Sequence, residues 1–85
     1  MATRLTLITR HDCHLCEEME VVIEQVTADT DAVLEILDVD ADPDLRARYS
    51  DEVPVLLIDG RKAFKYRVTA VELRQRLRAA ARGPT

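Results

Sequence analysis

The residues of this chain that are best suited to chemistry are its two cysteines, Cys13 and Cys16, which are separated by two residues. The apolar residues 5–9 before them predict a buried strand, and the helical spacing of apolar residues after them predicts a helix that ends near Thr27. The pair therefore lies at a strand-to-helix turn, with Cys13 at the N-terminus of the helix. Free N–H groups and the helix dipole stabilise an anion there, so we expect the pKa of the Cys13 thiol to be lowered.

A dithiol at the start of a helix is suited to thiol–disulfide exchange, in which the two thiols have different roles. Cys13, at the exposed end, is predicted to ionise and attack a substrate disulfide. Cys16 lies one turn further in and is predicted to attack the mixed disulfide and release the reduced substrate. Two intervening residues allow the two sulfurs to bond across this turn. The charge of Arg10 favours the Cys13 thiolate, whereas neighbouring carboxylates such as that of Glu17 oppose it.

Pro54 is the second informative residue, because it comes directly before the apolar residues 55–58, which predict a central strand. A proline cannot donate a hydrogen bond to a neighbouring strand, so it is out of place within a central strand. A cis peptide bond between Val53 and Pro54 would account for it. It would turn the Val53 backbone outward and offer its N–H and C=O to an extended substrate beside the dithiol. The alternative is an ordinary trans proline that begins the strand.

The whole pattern predicts a single α/β domain over residues 1–85 with the element order βαβαββα. A strand-helix-strand start implies a parallel pair, and a hairpin adds antiparallel strands, so we expect a four-stranded mixed sheet flanked by three helices. After the first helix we expect a strand at residues 33–39 and a short helix with Asp42 as its cap and Pro43 at its first position. Strands at 55–58 and 61–66 follow, joined by the turn Asp59-Gly60. The last helix begins at a capping box of Thr69 and Glu72 and ends at Gly83-Pro84.

Apolar spacing within the helices indicates which side chains face the core, and Asp12 is predicted to cap the first helix. The predicted core positions are Cys16, Met19, Ile23 and Val26 in the first helix, Leu45 and Tyr49 in the second, and Val71, Leu73 and Leu77 in the last.

Charge is unevenly distributed along the chain, although the net charge is only −4. Residues 1–60 carry fifteen of the sixteen acidic side chains, and residues 61–85 carry eight of the twelve basic ones. We interpret Arg74, Arg78 and Arg82 as a solvated helix face rather than a nucleic-acid site, because aromatic side chains are sparse.

No apolar run is long enough to cross a membrane, and the short polar N-terminus does not resemble a signal peptide. We therefore expect a cytoplasmic monomer without a nucleic-acid or membrane partner. Disulfides held for stability are rare in that compartment, which favours a redox or metal-binding role for the cysteines.

Taken together, these features resemble the thioredoxin-fold proteins, and glutaredoxins most closely, over nearly the whole chain. The resemblance rests on the first strand, on Thr-Arg-His-Asp-Cys-His-Leu-Cys at residues 9–16, on Glu-Val-Pro-Val at residues 52–55, and on the hairpin with the last helix. The chain looks like the short bacterial glutaredoxin-like group. The resemblance implies a thioredoxin fold, with Cys13 as the nucleophile, Cys16 as the resolving thiol and Pro54 as the cis-proline.

By this resemblance the chain is a small thiol–disulfide oxidoreductase that reduces protein or low-molecular-weight disulfides, with no tightly bound cofactor. The resemblance also implies glutathione as a reductant, with Arg10 and the Val53 backbone in position to hold its carboxylate and backbone. This chain departs from the glutathione-binding members at one place, and the difference opposes the use of glutathione. Glutathione-binding members have two glycines and then acidic residues after the hairpin, where this chain has Lys65, Tyr66 and Arg67, and basic side chains would repel the glutathione amine.

Two alternatives stay open at this stage. His11 and His14 lie beside the cysteines and could join them as metal ligands, although adjacent residues at a helix start diverge, and a dimer could share an iron–sulfur cluster through Cys13. The other alternative is a thioredoxin-fold binding module that does not turn over.

Overall fold

The computed structural model describes residues 3–81 of the chain and has the predicted element order. The four strands form one mixed sheet in the order β2-β1-β3-β4, in which β1 is parallel to β2 and the other neighbours are antiparallel. The elements are β1 (Arg4–Thr9), α1 (His14–Thr27), β2 (Val33–Asp38), a short 3-10 helix (Val39–Ala41), α2 (Pro43–Tyr49), β3 (Val55–Ile58), β4 (Arg61–Lys65) and α3 (Ala70–Ala81).

The two central strands divide the core between the two faces of the sheet, because successive side chains of a strand point in opposite directions. Leu5 and Leu7 of β1 lie in the larger cluster with α1 and α3, whereas Ile8 lies in a smaller cluster on the opposite face. The larger cluster contains Met19, Ile23, Val26, Leu56, Ile58, Val68 and Leu73, and Leu45 and Tyr49 of α2 pack against the smaller one. Cys16 of α1 is also buried, so the four predicted core positions of α1 and both anchors of α2 are confirmed.

The turns have the chemistry that their sequences predict. Asp59 and Gly60 both have positive φ, at 50° and 85°, as a type I′ hairpin requires. Asp42 caps α2 through its carboxylate, which accepts the N–H of Asp44 at 2.8 Å. The capping box of α3 is complete, because Thr69 Oγ1 accepts the Glu72 N–H at 3.1 Å and Glu72 Oε1 accepts the Thr69 N–H at 3.0 Å.

Two predictions about α1 and α3 are wrong. The cap of α1 is Cys13 rather than Asp12, because the Cys13 sulfur accepts the N–H of Cys16, while Asp12 lies in the left-handed region at φ 57°. Val71 is 63% exposed, since it lies on the outer side of α3, whereas Leu73 is fully buried. The predicted end of α3 at Gly83-Pro84, and Arg82 before it, lie outside the described residues.

None of the helices within residues 3–81 is long and apolar enough to cross a membrane.

Candidate active site

The cysteine pair lies where β1 ends and α1 begins, and the two sulfurs are joined in a disulfide across the first turn, with the Cα atoms 5.2 Å apart. Cys16 is 3% exposed, and Cys13 is half-buried. The structure therefore places the predicted nucleophile toward solvent and the predicted resolving thiol behind it. That difference follows from the helix, because Cys16 belongs to the buried stripe of α1 and Cys13 precedes its first turn.

The sulfur of Cys13 has a backbone hydrogen-bond donor at contact distance. The N–H of Cys16 donates to Cys13 Sγ at 3.1 Å, so the sulfur occupies the position that a capping oxygen takes in other helices. A thiolate at this atom would keep the same donor and would also lie at the positive end of the helix dipole. The lowered pKa of reduced Cys13 stays a prediction, and this geometry supplies its physical cause.

Pro54 lies beside the end of β1, and the peptide bond that joins it to Val53 is cis, as predicted. Ile8 of β1 pairs with Val55 of β3, so one further step in this antiparallel register places Pro54 next to Thr9. Pro54 is buried, and Val53 is half-buried. Within the described residues, no backbone partner is found for the N–H or the C=O of Val53. The pairing of these two groups with an extended substrate stays a prediction.

Tyr66 holds the loop that carries Pro54, which we define as the 50–54 loop, from the side of β4. Its N–H donates to the Pro54 C=O at 2.8 Å, and its hydroxyl donates to the Asp51 C=O at 3.0 Å. Its φ is 68°, a conformation that is strained for a bulky side chain. The two hydrogen bonds offset that strain, and both end on the 50–54 loop.

Arg10 lies three residues before Cys13, but its guanidinium contacts other protein groups. Its Nε and one terminal nitrogen donate to the two carboxylate oxygens of Asp40 at 3.0 and 3.3 Å. Ser50 accepts two more hydrogen bonds from Arg10, through its backbone oxygen and its hydroxyl, each at 3.1 Å. The hydrogen bond from Arg10 lowers the pKa of Asp40 below its ordinary value, and Asp40 in turn raises the pKa of Arg10.

Neither Asp40, Ser50 nor Tyr66 was predicted to belong to the site. The sequence carries a weak signal for each, because all three are polar residues next to predicted turns. Their partners lie between twelve and forty positions away along the chain and depend on the folded arrangement.

An open cleft of about 260 Å³ lies against the dithiol, and four of its nine lining residues are acidic. Glu20 of this lining is half-buried, and burial raises the pKa of its carboxyl, with a hydrogen bond to Glu24 adding to the rise. The lining residues are Thr9, Arg10, His11, Asp12, Cys13, Cys16, Glu17, Glu20 and Asp38.

A second groove, of about 280 Å³, runs between α1 and the segment that follows β4. Leu15, Met19 and Val68 supply part of its apolar wall, and Tyr66 and Arg67 lie at its other side. The charged residues that line the groove are Glu18, Arg67 and Glu72, whereas Lys65 does not line it and lies 3.5 Å from Glu52.

The two histidines beside the cysteines point into solvent. The side chain of His11 is 91% exposed and lies 3.9 Å from Asp12, and that of His14 is 83% exposed and lies 4.0 Å from Glu17. Within residues 3–81, no three His, Cys, Asp or Glu side chains are grouped so that they could hold a metal ion. The structure thus does not bring His11 and His14 together with the cysteines as one ligand set.

Comparison with known proteins identifies one family and several relatives that match most of this chain. The model of the glutaredoxin-like domain (DUF836) matches residues 4–78. An uncharacterized protein of Mycobacterium tuberculosis is 29% identical over 76 residues, which is 84% of this chain and 78% of that protein. An uncharacterized protein of Mycobacterium bovis matches to the same extent.

Solved structures agree in fold. A structural genomics target protein from X. campestris has 35% identity and a TM-score of 0.76, covering 89% of this chain and 97% of its own. A protein from Nitrosomonas europaea has 27% identity and a TM-score of 0.74, covering 86% and 88%. Chloroplastic thioredoxin z, at 19% identity, has a TM-score of 0.76 and covers 96% and 80%, a likeness that shows the fold alone. The chain has the predicted thioredoxin fold.

Proposed function

Because the chain belongs to the glutaredoxin-like domain family, we propose that it is a thiol–disulfide oxidoreductase that reduces protein or low-molecular-weight disulfides through Cys13 and Cys16. One observation carries the proposal. The two sulfurs bond to each other at the N-terminus of α1, with Cys13 toward solvent, Cys16 buried and the 50–54 loop alongside. A dithiol held in this way can donate two electrons to a substrate disulfide, and the disulfide that it becomes can accept two electrons from a reductant.

The reaction takes place in two exchanges. The Cys13 thiolate attacks one sulfur of the substrate disulfide, a bond forms between Cys13 and that sulfur, and the other substrate sulfur leaves as a thiolate. Cys16 then loses its proton and attacks Cys13 Sγ, which breaks the mixed disulfide and releases the second substrate thiol. Two electrons and two protons pass from the protein to the substrate, and the protein ends as the Cys13–Cys16 disulfide.

A thiol reductant must return the protein to its dithiol form, so the reaction fits a reducing compartment such as the cytoplasm. Glutathione is a weaker candidate than other thiols for that reductant, since Lys65 and Arg67 occupy sequence positions after the hairpin where glutathione-binding relatives have acidic residues. The protein needs no tightly bound cofactor and acts as a monomer.

The test is a single turnover with the reduced protein and a peptide disulfide. We expect two peptide thiols to appear for each protein molecule, while the intact protein loses the mass of two hydrogens. Cys13→Ser removes the attacking sulfur and abolishes the reaction. Reduction that proceeds at the wild-type rate in Cys13→Ser would show that the assigned roles are wrong, and the absence of reduction by the wild-type protein would contradict the function.

A further inference from the structure

We infer that Arg10 is a positioning residue, which ties the loop before Cys13 to the 50–54 loop, and that it does not bind the substrate. This inference rests on the proposed function, since it concerns how an extended disulfide substrate is aligned with Cys13. It differs from the sequence-based expectation, in which the Arg10 charge holds a carboxylate of the substrate.

The first argument is the number of donors that Arg10 has left. A guanidinium has five N–H groups, and four of them donate to Asp40 and Ser50. The geometry with Asp40 is bidentate, because both carboxylate oxygens are used, and such a pair is well defined in orientation. A substrate carboxylate could engage Arg10 fully only by displacing Asp40.

The second argument is that Asp40 is itself held in place. Arg46 of α2 donates to the Asp40 backbone oxygen at 2.8 Å, and its Nε lies 3.6 Å from the Asp40 carboxylate. Asp40 therefore lies between two arginines and is fixed by both. Displacement of this carboxylate by a substrate would break contacts with both arginines.

The third argument is the position of Ser50. It ends α2 and begins the 50–54 loop, so a bond from Arg10 to Ser50 connects the segment before Cys13 with the segment before Pro54. Tyr66 fixes the other side of the same loop through Asp51 and Pro54. On the β4 side the loop is also held by ion pairs of Glu52 with Lys62 and Lys65. Arg10 ties the loop to the segment before Cys13.

This arrangement contributes little to stability, because partly exposed ion pairs are worth little on average. Arg10 and Asp40 have side-chain exposures of 36% and 43%. What the bonds determine is the distance between the Val53 backbone and Cys13. A small disulfide that contacts only the sulfur does not depend on that distance, whereas a peptide that pairs with Val53 does.

The experiment compares Asp40→Asn and Arg10→Lys with the wild-type protein on two neutral substrates. One is 2,2′-dithiodipyridine, and the other is a peptide disulfide with acetylated and amidated termini and no charged side chains. We expect both variants to raise KM for the peptide by about three- to tenfold, which is the size of effect that the loss of one hydrogen bond gives. The rate constant with dithiodipyridine stays within about twofold of wild type, since that reagent needs only Cys13. Arg48→Lys, an exposed change on α2, is the matched control.

A third substrate, the same peptide with one glutamate, separates the inference from substrate binding by charge. If Arg10 bound carboxylates, Asp40→Asn would release the guanidinium and lower KM for this peptide, and Arg10→Lys would keep the wild-type value. Either result would overturn the inference. Unchanged KM values for the neutral peptide in both variants would overturn it as well, while leaving the proposed function intact. A wild-type protein that reduces neither substrate would overturn both.

A measurement independent of turnover follows the backbone directly. In amide NMR spectra of the oxidised protein, we expect Asp40→Asn to shift the signals of Val53 and Cys13, and Arg48→Lys to leave them in place. Spectra in which only the residues next to Asp40 respond would contradict the coupling between the two loops.

Discussion

At the scale of single residues, the two cysteines differ because of their positions in the first turn of α1. Cys13 is the cap and is half-buried, with the Cys16 N–H 3.1 Å from its sulfur, while Cys16 is buried at 3% exposure. The sequence predicted this division from the strand and helix patterns alone. It assigned the cap to Asp12, however, because a carboxylate is the commoner capping group and a capping sulfur leaves no sequence signal.

The thiol pKa of Cys13 is the first property to measure. The Cys16 N–H and the helix dipole stabilise the thiolate at contact distance, so we expect the pKa of Cys13 to lie below the ordinary value of about 8.5. The measurement is the rate of alkylation by iodoacetamide against pH in reduced Cys16→Ser, in which Cys13 is the only thiol. The same protein in urea is the control. A midpoint equal to or above that of the unfolded chain would contradict the expectation.

At the scale of elements, the first turns of α2 and α3 show why local sequence predicts some features well. The capping box of Thr69 and Glu72 depends on residues three apart, and both of its hydrogen bonds are present. The same holds for Asp42, whose carboxylate caps α2. Arg10 is different, because its partners Asp40 and Ser50 lie thirty and forty residues away. No local pattern could have shown that its charge is already paired.

Thr69→Ala tests the capping box. The substitution leaves the Glu72 N–H without its acceptor, so we expect a loss of about 1 kcal/mol in the free energy of unfolding. For a domain of this size, that is a fall of about 4–8 °C in Tm. Urea and thermal unfolding measure it, with Thr69→Ser as the control that keeps the hydroxyl. Equal losses in the two variants would mean that the hydroxyl is not the source of the stability.

At the scale of the whole molecule, the sheet separates two clusters and brings the dithiol and the 50–54 loop to the same end of β1. The order of elements and the mixed sheet followed from the sequence, because apolar runs, turn signals and helix caps agree along the chain. The direction of single side chains was harder to predict. Val71 and Leu73 are both apolar, but residues two apart on a helix point about 200° apart, so only one of them can face the core.

Leu73→Ala and Val71→Ala form a matched pair that tests this packing. Leu73 is fully buried in the larger cluster, and its truncation is expected to cost about 2–5 kcal/mol in the free energy of unfolding. Val71 is 63% exposed, and its truncation is expected to change the free energy by no more than about 0.5 kcal/mol. Urea unfolding of both variants provides the comparison. A larger loss for Val71→Ala than for Leu73→Ala would contradict the orientation of α3.

The central claim is that Cys13 attacks and Cys16 resolves, and trapping of the mixed disulfide tests it most directly. Reduced Cys16→Ser and Cys13→Ser are each mixed with one equivalent of the neutral peptide disulfide, and the intact masses are recorded. The account predicts a stable adduct of one peptide chain on Cys13 in Cys16→Ser, and little or no adduct in Cys13→Ser, where the remaining thiol is buried. An adduct that forms as fast in Cys13→Ser, or no adduct in Cys16→Ser, would contradict it.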